Sequence, residues 1–242
     1  MPHTSNLLLM SLPAADIGAV RPHLRNIELQ QGMVLFEVGD PITQVYFPHS
    51  GVVSLVVPLE SGEIIESAMI GRESVVGGSA GLNGQASVYK AIVQIAGAGS
   101  VLETERFRNL ADVSVACRTA LFRHEQMLLV QAQQSAACNA THTVEARLSR
   151  WLLRCRDLQG GEDLYLTQEF ISQMLGVRRT SVSVIANTLQ QAGFVRYSRG
   201  HIRILNLEGL QETACECYHT VKAHADRLLT RGQVGIHIAS SK

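Results

Sequence analysis

The segment from Thr167 to Leu205 constrains the fold of this chain most strongly, because its apolar residues follow a helical spacing on both sides of a glycine. Thr167 is a good helix N-cap, and Gly176 ends the first helical pattern before a second one begins. After Gly193, two short apolar runs flank Arg199-Gly200, a pair that favours a tight turn between strands. The succession of helix, turn, helix and hairpin predicts a winged helix-turn-helix, a fold that places its second helix in the major groove of DNA.

Positive charge is concentrated in the same segment, which holds five arginines and one acidic residue, Glu169. Residues 1–140 carry 8 Lys and Arg against 12 Asp and Glu, whereas residues 141–242 carry 13 against 9. The net charge is therefore −4 in the first part and +4 in the second, and zero for the whole chain. A local basic patch on a neutral chain favours contact with phosphates. The alternative is an ordinary helical hairpin with a solvated basic face, and the added β-hairpin argues against it.

The second helix of the segment carries polar side chains away from its apolar stripe. We expect its first turns to lie over base edges, while neighbouring groups hold phosphates. The residues predicted to read or position over bases are Arg178, Arg179, Thr180, Ser183 and Val184. The residues predicted to contact phosphates are Gln168, Ser181, Asn187 and Arg199.

The first half of the chain has the pattern of a β-domain. Short apolar runs alternate with glycines, and turns recur roughly every 8 to 12 residues, which is typical of a sandwich or barrel. Four runs have the length and β-branched content of strands: Met33–Phe36, Gln44–Phe47, Val52–Val57 and Ile64–Met69. From residue 103 to residue 159 neither Pro nor Gly occurs, so helices are expected there, over about residues 104–112, 114–138 and 143–157.

Several functions are not expected. No apolar run approaches the ~20 residues that cross a bilayer, and no basic region precedes the short apolar stretch near the start, so we expect a cytoplasmic protein without membrane contact. The sequence has no nucleophile elbow, phosphate loop, HExxH motif or paired carboxylate site, so no catalytic residues are assigned and an enzyme is not expected. Glu60, Glu63 and Glu66 are expected on exposed β-turns.

The five cysteines are odd in number and lack CxxC spacing, which favours reduced thiols over disulfides or a zinc ribbon. Cys215 and His219 stand four residues apart with Cys217 and His224 nearby, but helix surfaces supply such pairs by chance. We therefore expect no metal site and no cofactor. A redox role for Cys138, near the end of the long helix, or for Cys155 is the alternative.

Two stretches are similar to those of a known family. Phe36-Glu37-Val38-Gly39-Asp40 and the run from Val45 to Val53 resemble the β-roll turns of the Crp/Fnr family of bacterial transcription regulators. Leu166 to Gly193 resembles the helix-turn-helix of the same family, and the similarity spans most of residues 7–207. Relatives that sense oxygen hold an iron-sulfur cluster on N-terminal cysteines, and this chain has no cysteine before Cys117.

The resemblance implies an α+β fold with an N-terminal double-stranded β-helix, a jelly-roll-like β-roll similar to cyclic nucleotide-binding domains, over residues 1–112. It implies a long dimerisation helix and hinge over residues 113–142, and a winged helix-turn-helix with a C-terminal helix over residues 143–242. The implied function is sequence-specific regulation of transcription by a homodimer on palindromic double-stranded DNA, with RNA polymerase as a further partner. The effector is an unidentified small molecule or absent; the alternatives are a cyclic-AMP-responsive regulator and a sensor that acts mainly through protein partners.

Two departures from the family pattern affect these expectations. Thr180 and Val184 stand where many relatives carry Glu and Arg, so the base preference must differ. Cyclic-AMP-binding relatives follow a short helix with an Arg-Ser or Arg-Thr pair, and Gln85-Ala86-Ser87 occupies that place here, which would leave a phosphate without a paired charge. The candidate effector-pocket residues are Gly71, Arg72, Glu73, Ser87 and Gln133, with Gly71-Arg72-Glu73 resembling the start of the short helix.

Overall fold

A computed structural model of the chain describes residues 5–237, with side chains described as far as residue 227. Within residues 5–237 the N-terminal part is built mainly of strands and the C-terminal part mainly of helices, which confirms the α+β class. Two short helices, α1 (Leu7–Met10) and α2 (Ala14–Val20), precede the strands. None of the helices in this range combines the length and the apolar composition needed to cross a bilayer.

Seven antiparallel strands form the β-domain, in two sheets that share one apolar core around Phe47, Leu55 and Phe107. Their bounds are β1 Arg25–Leu29, β2 Val34–Phe36, β3 Gln44–Pro48, β4 Val52–Pro58, β5 Ile64–Ile70, β6 Lys90–Ile95 and β7 Gly97–Glu103. One sheet has the order β1-β7-β3 and the other the order β2-β6-β4-β5. The four strands expected from the sequence are confirmed to within one residue at each end.

Two helices follow the β-domain: α3 (Thr104–Val113) and the long α4 (Val115–Thr141). Ser114 separates the two helices. Its side chain accepts a hydrogen bond from the backbone N–H of Cys117 and so caps the start of the long helix. With 27 residues, α4 spans roughly 40 Å. Both helices were expected from the sequence.

The long helix runs along the edge strand β5 and satisfies its free backbone groups. The Gln131 side chain accepts a hydrogen bond from Met69 N at 3.0 Å and donates one to Met69 O at 3.2 Å. One turn further, Ser135 Oγ donates to Ser67 O at 3.2 Å. An edge strand left unpaired is a site for aggregation, so these polar side chains act as a substitute for another strand.

The C-terminal part is the expected winged helix-turn-helix. Its elements are α5 (Val144–Gln159), β8 (Asp163–Tyr165), α6 (Gln168–Leu175), α7 (Arg179–Gln191), β9 (Val195–Ser198), β10 (His201–Ile204), α8 (Leu207–Thr213) and α9 (Cys217–His237). The wing is a three-stranded sheet in the order β8-β10-β9, and its strand β8 was not expected from the sequence.

The two parts are joined by one apolar cluster. Trp151 of α5 is fully buried in it, together with core residues of the helix-turn-helix such as Ile171 and Val182. The β-domain contributes Val56 and Met69 to the same cluster. Helix α5 therefore belongs to both cores, and the position of the helix-turn-helix depends on its contact with the β-domain.

A polar network lies inside this apolar contact. Trp151 Nε1 donates to Glu66 Oε1 at 2.9 Å, and Ser54 Oγ lies 2.6 Å from Glu66 Oε2. The same hydroxyl bonds to Gln94 Oε1, and Gln94 Nε2 lies 2.9 Å from Cys155 Sγ. A hydroxyl donates one proton only, so Ser54 satisfies both oxygens only if Glu66 supplies a proton to one contact.

Burial raises the pKa of Glu66 to about 7, against the lowering effects of the Ser54 hydrogen bond, the nearby charge of Arg150 and the Trp151 hydrogen bond. A carboxyl group held neutral agrees with the hydrogen-bond count. The sequence-based expectation that Glu66 lies on an exposed turn is wrong, although its neighbours Glu60 and Glu63 are exposed. A β-bulge between Leu55 and Val56 shifts the register, so that Glu66 pairs with Val56 and lies in the interface.

We predict that Glu66→Gln makes the stability of the protein less dependent on pH between pH 5 and pH 8. The raised pKa means that the contribution of Glu66 to stability is complete below pH ~4.5 and is lost as pH rises through about 7. The glutamine amide keeps a donor toward Ser54 and an acceptor toward Trp151 at every pH. Urea unfolding should show the variant gaining up to about 3 kcal/mol on the wild type between pH 5 and pH 8. Glu63→Gln, on the exposed turn, is the control, and parallel pH curves for Glu66→Gln and wild type would contradict the prediction.

Candidate nucleic-acid interface

Helix α7 packs through one apolar stripe and presents a mainly polar face to solvent. Val182, Ala186 and Leu189 are buried, at the helical spacing that the sequence indicated. Arg178 is the N-cap residue, and the helix begins at Arg179. The exposed positions of this face are Arg178, Arg179, Thr180, Val184 and Asn187. Val184 is 67% exposed, and an apolar side chain in that position suits a thymine methyl group.

Two of the predicted DNA contacts are hydrogen-bonded to each other. Ser183 Oγ donates to the Gln168 side-chain oxygen, and it lies 3.1 Å from Arg179 O. The backbone N–H of Gln168 donates to Tyr197 Oη at 3.1 Å. Ser183 and Gln168 therefore connect α7, the start of α6 and the wing, and they fix the geometry of the surface. Ser181, beside them, is partly exposed.

Arg179 is oriented by a weak surface pair. Its Nε lies 4.0 Å from Glu169 Oε2, and both side chains are well exposed. An exposed pair of this kind contributes little to stability, because solvent and salt screen it. The guanidinium can exchange this carboxylate for a base edge or a phosphate at small cost.

The wing carries exposed arginines on a tight turn. Arg199 has φ of 47° and Gly200 has φ of 80°, as a two-residue turn of type I′ requires, so the turn expected from the sequence is confirmed. Gln190 Oε1 accepts from Tyr197 N at 2.7 Å, which fastens the wing to α7. Arg196 and Arg203 lie exposed on the adjoining strands. The basic end of α7 and the wing tip thus belong to one connected unit.

The turn between α6 and α7 touches the β-domain. Gly176 has φ of 61°, and a Cβ there would lie 3.2 Å from Ile65 Cδ1. A cleft of about 350 Å³ separates the β4–β5 turn from α6, and Glu63, Glu169 and Arg179 line it. The β-domain therefore lies directly beside the surface that carries Arg179.

The predicted effector residues are not brought together. Arg72 and Gln133 are exposed, while Glu73 accepts from the Gly71 amide at 3.2 Å and lies 3.7 Å from Arg154 Nη2 of α5. Ser87 is buried elsewhere, where its Oγ donates to Tyr89 O at 2.6 Å. Of the five residues, only Glu73 lines the cavity beside the long helix.

The short helix implied by the family resemblance lies at Gly78–Leu82, and not at Gly71. This short helix contains no acidic residue that could accept hydrogen bonds from the ribose of a cyclic nucleotide. A Cβ at Gly81 would lie 2.6 Å from Leu121 Cδ1, and one at Gly78 would lie 2.7 Å from His124 Cδ2. Side chains of α4 therefore occupy the space directly above this helix.

A small cavity lies between α4, β5 and the N-terminal helix. Its volume is about 80 Å³, well below the ~300 Å³ at which ligand pockets usually begin. Its lining is mainly apolar, with Leu8, Met69 and Met127 among the residues, and Gln131 reaches it from α4. His124 lies at one wall, where it bonds to Ser74 Oγ, and burial lowers its pKa to about 4. This cavity is therefore smaller than a usual ligand pocket.

The cysteine and histidine residues are arranged differently from the sequence-based expectation. Cys215 precedes α9, and His219 is exposed beside the Tyr218 ring, so these two do not form the helical pair considered from their spacing. Cys215 instead meets Cys138, His142 and Cys217. Spacing could not reveal this group, because its members come from segments more than seventy residues apart.

Comparisons with known proteins agree with this geometry. Residues 26–114 match the cyclic nucleotide-binding domain family, and residues 146–213 match the Crp-like helix-turn-helix domain family. The global nitrogen regulator of Synechococcus elongatus is 23% identical over 206 residues, which cover 81% of this chain and 93% of that protein.

Two solved structures share the fold. FixK2 from Bradyrhizobium japonicum aligns with a TM-score of 0.69 at 18% identity, over 79% of this chain and 98% of that one. The global regulator CLP of Xanthomonas campestris, described as responsive to c-di-GMP, aligns with a TM-score of 0.64 at 17% identity, over 79% and 99%.

We predict that Gly176→Ala destabilises the protein by about 1 to 2 kcal/mol, since the turn needs a left-handed backbone that L side chains adopt at a cost. The new methyl group would also press on Ile65. Gly161→Ala is the matched control, because a Cβ there meets open space and its φ is not positive. Urea titration measures both, and equal stability of the two variants would contradict the prediction.

Proposed function

Because this chain belongs to the Crp/Fnr family of transcription regulators, we propose that it acts as a homodimer that binds a palindromic DNA site in a sequence-specific way. The exposed basic end of α7 is the observation that carries the proposal of DNA binding. A row of exposed residues along α4 supports the dimer. RNA polymerase is the further partner that the proposal includes.

Helix α4 has a seam of exposed positions at alternating spacings of four and three residues. The seam consists of Val115, Thr119, Phe122, Gln126, Leu129, Gln133, Ala136 and Ala140. This spacing is the a/d repeat of a coiled coil. Phe122 is 60% exposed and Leu129 is 57% exposed, both on a helix whose opposite side is already packed on β5. A second copy of α4 would cover this seam, and the small residues near its end would allow close approach.

The dimer would set the spacing of the two recognition helices. In a two-fold symmetric reader, the half-sites lie one helical turn apart, ~34 Å, with each α7 in one major groove. We assign base contacts to Arg178, Arg179, Thr180 and Val184. Ser183 is assigned to position this end of α7 over the bases, through its hydrogen bond to Gln168. Ser181, Asn187, Gln168 and the wing's Arg199 are assigned to the phosphates.

Control of DNA binding would act through the contact between α5 and the β-domain. An effector matters only if it binds one arrangement of the two parts better than the other. The filled space above Gly78–Leu82 argues against a cyclic nucleotide, so the proposal is a regulator with a different small effector or none. Equal DNA affinity before and after thorough removal of small molecules would exclude a required effector. In the alternative, a sensor acting through protein partners, the protein would not enrich any fragment from random genomic DNA.

We predict that Phe122→Glu dissociates the dimer at micromolar concentration, because it places a pair of like charges in the seam. Asn139→Glu, exposed on the same helix but outside the seam, is the control. Sedimentation equilibrium of the full chain measures the mass of both variants. A dimer of unchanged affinity in Phe122→Glu would rule out this interface.

We predict that Arg179→Ala and Arg199→Ala have different effects on DNA binding. Removal of the Arg179 side chain should relax base preference by about 1 to 3 kcal/mol at one position per half-site. Removal of the Arg199 side chain should weaken binding to all sequences similarly, and should reduce the slope of log affinity against log salt concentration by about one for each phosphate it neutralises. Selection of bound fragments and titration at several salt concentrations measure the two effects. An equal decrease of specificity in both variants would argue against this division of roles.

A further inference from the structure

Four potential metal ligands converge where the long helix ends. Cys138 lies in the last turn of α4, and His142 is the C-cap residue that follows the helix, four positions later. Cys215 lies in the link between α8 and α9, and Cys217 is the first residue of α9. The three sulfur atoms and one ring nitrogen all lie within 4.8 Å of one another.

The separations fit a tetrahedron around one ion. Cys138 Sγ lies 3.5 Å from Cys215 Sγ, and Cys217 Sγ lies 3.6 Å from His142 Nδ1. Tetrahedral zinc with bonds of about 2.3 Å to sulfur and about 2.0 Å to nitrogen requires ligand separations of roughly 3.5 to 3.8 Å. The four atoms need only small movements to meet that geometry. They converge on a single point, whereas a cluster of several irons holds its thiolates around a larger body.

The surrounding groups have the arrangement found around metal ligands. His142 Nε2 lies 3.2 Å from Glu216 Oε1, so the imidazole can direct its other nitrogen toward the sulfur atoms. A carboxylate that holds the free nitrogen of a ligating histidine fixes its tautomer and strengthens it as a donor. Gln134 Nε2 donates to Cys217 Sγ at 3.0 Å. Glu216 and Gln134 are not among the four proposed ligands, and each contacts one of them.

Three of the four ligands are buried, and the fourth, His142, is partly exposed. Cys138, Cys215 and Cys217 are all buried, and Ala146 of α5 packs against them. Three cysteines and one histidine are a donor set of structural zinc sites, in which the protein supplies all four ligands. Thiolates favour soft or borderline ions, so magnesium and calcium do not suit the site.

We propose that Cys138, His142, Cys215 and Cys217 bind one zinc ion, which fastens the start of α9 to the end of α4. The site lies beside the hinge at His142 and Thr143, where α4 passes into α5. Helix α9 also packs on α4 and α5, through Tyr218 and Val221 among other residues. An ion here joins the helix that carries the exposed seam to the domain that carries α7, and this role does not depend on which effector acts.

The first test measures metal in the reduced, full-length protein. After incubation with zinc chloride and exhaustive dialysis, elemental analysis should find one zinc per chain. Cys138→Ser and Cys215→Ser should each abolish retention. Cys117→Ser, a buried cysteine in the β-domain, should keep it. Absence of zinc from the reduced wild type, or unchanged retention in both serine variants, would overturn the proposal.

A second test does not depend on variants that fold. Titration of the reduced wild-type protein with Co²⁺ should produce the intense visible bands of a tetrahedral ion with thiolate ligands, and zinc should displace them. Glu216→Gln, on the surface, should weaken zinc binding roughly 10- to 100-fold while leaving the fold intact. If the reduced protein yields no such bands, and the isolated protein instead contains a Cys138–Cys215 disulfide, the pair is a redox site and the metal proposal is wrong.

Discussion

The hydrogen bond from Trp151 to the buried carboxyl group of Glu66 is the interaction on which the arrangement of the molecule depends. It lies inside an apolar cluster that β4, β5 and α5 share, so it joins the β-domain to the helix-turn-helix within a buried, apolar region. A buried polar network is costly unless every group in it is satisfied, and this one is satisfied when Glu66 is protonated. The interface therefore has one preferred geometry, and that geometry fixes where α7 and the wing stand relative to the β-domain.

The long helix connects this interface to the rest of the proposed assembly. One side of α4 completes the edge of β5 through Gln131 and Ser135, and the other side keeps the exposed seam around Phe122 and Leu129. The helix thus has two separate faces, one packed on its own domain and one that the proposed dimer would cover. At its end, the cysteine and histidine group brings α9 to the same point. A shift in α4 would therefore reach the hinge, the seam and the helix-turn-helix together.

Much of the fold could be predicted from the sequence, because the spacing of apolar residues shows which face of a helix or strand is buried. That spacing is about 3.6 residues in a helix and 2 in a strand. The ends of the strands, the glycine between α6 and α7 and the turn at Arg199-Gly200 all follow from local rules. What could not be predicted depends on contacts between distant segments. The bulge that turns Glu66 inward and the pairing of Gln131 with β5 need the sheet to exist first. The structure does not bring the predicted effector residues together, and a motif comparison could not reveal that α4 side chains pack above Gly78–Leu82.

The proposed dimer places two copies of α7 in successive major grooves on one face of DNA. Hydroxyl-radical footprinting on a site selected from genomic DNA, combined with the mass of the complex, is the decisive measurement. We expect two chains per site and two symmetric protected regions whose centres are one helical turn, ~34 Å, apart. A single chain per site, or protection without two-fold symmetry, would contradict it.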